Sequence, residues 1–119
     1  MPTFQLNTNL PKAKIPANFC QELTDLLAKI LGKPVKYLCI HVVPDQIMSF
    51  AGTTDPCGYA VLVSIGAIGG DKNEGHSKAI FDFIEKKLGI PGDRFYVSYH
   101  DQPASEIGHE GKTFAAIFR

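Results

Sequence analysis

A four-residue signature occurs twice in this chain, and its recurrence constrains the fold more than any other feature. Leu31-Gly32-Lys33-Pro34 returns as Leu88-Gly89-Ile90-Pro91, 57 residues further on. The same offset lays Phe4-Gln5-Leu6 on Val61-Leu62-Val63 and Tyr37 on Arg94. Each signature closes a helix, because Gly supplies a left-handed cap and the following Pro blocks continuation. Before the first, Phe19, Leu23, Leu26, Leu27, Ile30 and Leu31 recur at helical spacing between polar residues. Pro16 suits that helix's first turn. Before the second, Ile80, Phe81, Ile84 and Leu88 share a face, and Asp71 with Glu74 resembles a capping box. Extended segments are expected at 3–9, 37–43, 59–65 and 95–99, with a loop over 45–57 and short strands around Ile107 and from Thr113 to Phe118. Two strand–helix–strand copies are too few for a solenoid. They predict an α/β (α+β) fold: duplicated β-α-β units forming a four-stranded mixed sheet with two helices on one face. The whole chain, 1–119, forms one domain, with pseudo-repeats of about 2–57 and 58–119.

Segments 38–43 and 60–65 are apolar at nearly every position, which predicts burial on both faces. Two helices cover only one face of such a sheet. A second subunit is expected on the other; the alternative is that the tail folds across it.

Twelve basic and twelve acidic residues leave no net charge, so no electrostatic footprint for nucleic acid or an anionic membrane exists. No apolar run reaches membrane-spanning length, and the start lacks the basic-then-apolar layout of a signal peptide. Cys20, Cys39 and Cys57 have no C-x-x-C spacing and read as reduced, mostly buried thiols of a protein made in the cytosol.

Chemistry points to the N-terminus. Pro2 after Met1 favours removal of the initiator, leaving a secondary amine with a titration point near neutrality (about 7.7–8.0) at the head of a strand. In a closed pocket such an amine serves as a general base or nucleophile. The plainer alternative is that proline at position 2 has no role. Lys33 lies just past the first helix and approaches the start of the first strand; its repeat partner is Ile90, so the duplication itself requires no charge there. A surface lysine complementing the helix dipole is the alternative. The turn 66–70 lacks the P-loop and dinucleotide-binding patterns and reads as a tight turn. His41, His76, His100 and His109 show no metal-ligand spacing, and His41 is expected as a hydrogen-bonded core residue. No G-x-S-x-G motif is present.

Taken together, Met1-Pro2, Asn7-Thr8-Asn9, Gly32-Lys33-Pro34, His41 to Gln46, Ser64-Ile65-Gly66, Asp93-Arg94, Tyr96, Gly108 and Thr113-Phe114 give the chain a resemblance, over nearly its whole length, to the macrophage migration inhibitory factor family of the tautomerase superfamily. The resemblance implies a homotrimer with active sites at subunit interfaces and no cofactor or metal. It implies keto–enol tautomerase activity on phenylpyruvate-like 2-keto acids and dopachrome isomerisation. Pro2 matches the catalytic base. Lys33 faces the substrate carboxylate; Ile65, Tyr37, Ile107 and Phe114 line the pocket, and Tyr96 comes from the adjacent subunit. Ser98 stands where the family carries a pocket asparagine, His109 where it carries a tryptophan, and His100 replaces a channel-lining tyrosine. These departures bear on substrate preference. The cytokine's C-A-L-C motif is Cys57-Gly58-Tyr59-Ala60 here, which removes the basis for thiol oxidoreductase activity and weakens a nuclease role even with Glu22 present. Lys12 and Asp45 match a receptor-binding pair. The alternative function is a secreted signalling ligand for a cell-surface receptor, cytoplasmic and exported without a signal peptide, whose pocket is chiefly a binding surface. The D-dopachrome branch is a weaker match than the cytokine branch.

Overall fold

The computed structural model describes residues 1–118. Strand β1 (Pro2–Thr8) leads through a 3₁₀ turn at Lys12–Lys14 into α1 (Phe19–Leu31), which returns to β2 (Cys39–Val43). The second half repeats the plan with β3 (Gly58–Ser64), α2 (Lys72–Leu88) and β4 (Phe95–Asp101). The tail adds a two-stranded ribbon, β5 (Gly108–His109) with β6 (Lys112–Thr113), and the short α3 (Phe114–Ile117).

The sheet runs β2-β1-β3-β4. β1 pairs parallel with β2, and β3 parallel with β4, as a crossover helix requires. β1 and β3 meet antiparallel at the centre, Pro2 opposite Ser64 and Phe4 opposite Leu62. This is the duplicated four-stranded mixed sheet, with both helices on one face. Phe4, Leu6, Ala60, Leu62 and Phe95 point inward onto Phe19, Leu23, Leu27, Ile80 and Ile84, forming one apolar layer. Glu22 of α1 and Lys87 of α2 join the helices by an ion pair of 2.5 Å.

The 57-residue offset holds where the backbone turns. Gly32 and Gly89 both cap their helices in the left-handed region, at φ 64 and 70°. The turns Val35–Tyr37 and Gly92–Arg94 share it too. In the central strands it slips by one residue: Phe4 is buried, whereas Val61 faces the other side of the sheet. Side chains alternate with period two, so an odd offset reverses their faces.

Several expectations are corrected. Helix α1 begins at Phe19, so Pro16 lies before its first turn and only accepts a hydrogen bond from the Phe19 N–H. Asp71 makes no side-chain cap; Asn73 Oδ1 instead accepts from the Gly69 N–H at 2.9 Å. The first residues of the segment from Tyr37 form a 3₁₀ turn, and strand pairing starts at Cys39. Residues after Thr113 coil into α3 rather than extending, because the Thr113 hydroxyl accepts the Ala116 N–H at 3.1 Å and so starts a helix. Cys57 is buried, but Cys20 and Cys39 are exposed in the single chain. His41 is exposed on edge strand β2, and the buried, bonded histidine is His76, whose Nε2 lies 2.7 Å from the Ala67 carbonyl.

Opposite the helices, the sheet carries Val43, Tyr59, Val61, Val63 and Tyr96 at partly or fully exposed positions, among Gln5, Asn7 and Ser98. The tail does not close this face: its helix packs at the end of the sheet beside Ile107, whose carbonyl accepts the Phe114 N–H at 3.0 Å. Among the described residues, no helix is long and apolar enough to cross a membrane.

Candidate active site

Three chain segments converge at one end of the sheet. Pro2 opens β1, where a residue without an N–H is tolerated, and is buried there opposite Ser64. At the end of α1, the left-handed Gly32 redirects the chain; its N–H and that of Lys33 both bond to the Ala28 carbonyl. Only a residue that tolerates positive φ makes this turn without strain. Lys33 is thereby sent toward the sheet, and its Nζ donates to the Ile65 carbonyl just past β3 at 2.8 Å. That bond uses one of three N–H donors and leaves the ammonium free to hold an anion.

Met1 covers this junction and is only 7% exposed. Its terminal amine is held below the ordinary value of 8.0, first by burial and second by the positive charge of Lys33. Both causes favour the neutral amine. Two cavities flank Met1. One, of about 300 Å³, is lined by Lys33, Pro34, Ile65, Tyr37 and Phe118. The other, of about 280 Å³, is lined by Thr3, Lys36, Tyr37, Ile107, His109 and Phe114. Met1 and Tyr37 belong to both.

An aromatic cluster builds the wall. Tyr37 stands edge-on to Phe114 at 5.4 Å, to His109 at 5.7 Å and to Phe118 at 5.8 Å, while His109 stacks on Phe114 at 5.5 Å and 6°. Such edge and offset contacts hold rings more firmly than area burial alone. The wall is rigid because α3 is tied to Ile107 on one side and capped by Thr113 on the other.

Of the residues singled out from sequence, Pro2, Lys33, Tyr37, Ile65, Ile107 and Phe114 gather around Met1. Tyr96 and Ser98 do not. They lie on the helix-free face of β4, Tyr96 being 65% exposed with its ring 4.8 Å from Phe50, and Ser98 Oγ 2.7 Å from His100 Nε2. Lys12 and Asp45 sit together past the opposite end of β1, where the Lys12 N–H reaches Asp45 Oδ2 at 3.4 Å. Glu22 is engaged by Lys87 and Asn18. No group of three or more potential metal-ligating side chains occurs among the described residues. Sequence reasoning passed over Lys36 and Phe118. Lys36 adjoins Tyr37, with Nζ 5.0 Å from the ring centroid, and Phe118 follows Phe114 by one helical turn. That spacing was the available signal.

Comparison with known proteins bears on the family and the fold. The family model described as macrophage migration inhibitory factor (MIF) matches residues 1–115. Macrophage migration inhibitory factor from Rattus norvegicus is 48% identical over 115 residues, 97% of this chain and 100% of that one. The Xenopus laevis protein is 46% identical over the same coverage. Among solved structures, the factor from Trichinella spiralis superposes with a TM-score of 0.92 at 37% identity, covering 93% of this chain and 98% of that one. The homologue from Prochlorococcus marinus gives 0.88 at 36% identity, with 94% and 98% covered. The chain belongs to the macrophage migration inhibitory factor family.

Proposed function

We propose that the protein is a keto–enol tautomerase of phenylpyruvate-like 2-keto acids and dopachrome-type substrates, with the nitrogen of Pro2, freed by removal of Met1, as its base. The observation that carries this is the head of β1, where Pro2 is buried, Lys33 is held by the Ile65 carbonyl, and the Met1 amine is held below its ordinary value by burial and by Lys33. Loss of Met1 moves the chain-terminal amine to Pro2 and removes one of the two residues shared by the cavities, opening them toward each other between Lys33 and the aromatic wall.

In this reaction the neutral Pro2 nitrogen removes a proton from the carbon adjacent to the keto group. The bonding pair forms the carbon–carbon double bond, the carbonyl electrons move to oxygen, and the proton is returned to that oxygen as the enol. Lys33 holds the carboxylate and offsets the enolate charge through its free N–H groups. Ile65 fixes Lys33 through its carbonyl, while Tyr37, Ile107 and Phe114 grip the ring. Neutralising an amine that titrates near 8 gains only about tenfold at pH 7. Positioning and the preorganised cation must supply most of the acceleration.

The same proposal includes a homotrimer. The half-apolar, helix-free face is the surface a neighbouring subunit covers, and Tyr96 and Ser98, remote from Pro2 within one chain, complete the cleft of an adjacent one. Pro2→Gly is expected to lower phenylpyruvate turnover at least a hundredfold while light scattering still reports a trimer. An unchanged rate removes the base assignment.

A second role is favoured by the vertebrate relatives, which are named as a migration inhibitory factor. Lys12 and Asp45, exposed side by side, are the candidate receptor surface of a ligand present in the cytoplasm and released without a signal peptide. Receptor binding that survives covalent blocking of Pro2 supports a separate signalling role; its loss ties signalling to the pocket.

A further inference from the structure

The two cavities beside Met1 differ in what they offer. One ends at Lys33, the carboxylate site. The other ends at Lys36 and His109, residues that the proposed proton transfer does not use. Lys36 packs its Nζ against the Tyr37 ring at 5.0 Å, so its charge lies along the aromatic wall. No described carboxylate forms an ion pair with it; the ion pairs found are Lys78–Asp82, Lys87–Glu22 and His109–Glu110. His109 Nε2 lies 3.3 Å from Glu110 Oε1, and Glu110's side chain is 79% exposed. The Glu110 carboxylate is open to solvent, which screens its charge. The contact steadies a ring that lies flat on Phe114 and lines the cavity. Among the residues lining this second cavity, Lys36 is the one lysine or arginine.

We propose that this cleft selects substrates with two anionic ends: a 2-keto acid whose aromatic ring carries a second acidic group, the keto-acid carboxylate on Lys33 and the distal anion on Lys36, with His109 at its side. The assignment rests on the cleft being a keto-acid site. A ring alone fills the aromatic wall but leaves Lys36 without a counterion, whereas a distal carboxylate supplies one at the cavity end.

The test uses the mature, full-length protein and two unreactive probes, 3-phenylpropanoate and 3-(4-carboxyphenyl)propanoate, measured by calorimetry at low salt. The second is expected to bind roughly fivefold more tightly, the effect of one partly exposed ion pair. Lys36→Gln is expected to abolish the preference, Lys36→Arg to retain it and His109→Phe to weaken it. Circular dichroism and light scattering on each variant separate loss of preference from loss of fold. Equal affinities for the two probes, or a preference that persists in Lys36→Gln, overturn the assignment. Phenylpyruvate turnover is measured on the same sample. If turnover is absent and the dianion preference remains, the tautomerase proposal falls and the subsite stands. If turnover is present without the preference, the subsite falls and the tautomerase proposal stands.

Discussion

Replacing Lys33 with Met keeps most of the unbranched side chain and removes its charge, and it perturbs both functions assigned to that residue. The ammonium spends one N–H on the Ile65 carbonyl at 2.8 Å, so at most two remain for a substrate carboxylate. Hydrogen bonds to charged groups are worth about 1.5–3 kcal/mol. Loss of one such interaction in the transition state lowers kcat/KM roughly ten- to a hundredfold at 1.36 kcal/mol per decade. The second effect is on pH dependence. An amine base works unprotonated, so kcat/KM climbs as pH rises through its pKa. Burial and then Lys33 hold the Met1 amine below 8.0, and the proposed Pro2 base would lie at the same junction under the same two influences. With the charge gone only burial remains, the pKa rises, and the ascending limb moves to higher pH. The assay is enol formation from phenylpyruvate across a pH series, with KM and kcat separated. A variant within twofold of the parent, or one whose limb moves to lower pH, refutes the placement of Lys33 against both substrate and base.

Two further predictions concern the scaffold. Ser64, opposite Pro2, has a buried hydroxyl with no hydrogen-bond partner among the described residues, so Ser64→Ala is expected to raise stability by about 1 kcal/mol in denaturant melts; a loss of that size shows the hydroxyl is satisfied in solution. Leu27 is fully buried where α1 meets the sheet, and Leu27→Ala is expected to cost about 2–5 kcal/mol by urea unfolding; a change below 1 kcal/mol contradicts the packing of that core.

Much of this architecture was legible because backbone punctuation is local. Gly32 and Gly89 end their helices through their own φ angles, and Pro34 and Pro91 follow for steric reasons. The four-stranded mixed sheet with both helices on one face followed from the duplication. What failed was local signal under tertiary control. Asp71 and Glu74 have capping-box spacing, yet Asn73 takes the turn's N–H first. Phe114 to Ile117 look like strand residues, yet the hydroxyl of Thr113, the last residue of β6, accepts the Ala116 N–H and starts a helix there. The offset that aligned helix ends misaligned the strands by one residue, because turns tolerate a slip that a pleated sheet converts into a reversed face. At the site, Pro2 and Lys33 were legible as chemistry at element ends. Their meeting depends on the antiparallel pairing of β1 with β3, which no single stretch encodes. The position of His41 was misjudged because an apolar edge strand has the same composition as a central one.

The central claim is that the base is the nitrogen of residue 2, and it exists only after Met1 is gone. Fractions of the purified protein that start at Met1 and at Pro2, distinguished by intact mass, should be separated and their phenylpyruvate turnover compared at equal protein concentration. Activity confined to the Pro2 form is the expected result. Equal activity in a fraction that retains Met1 contradicts it.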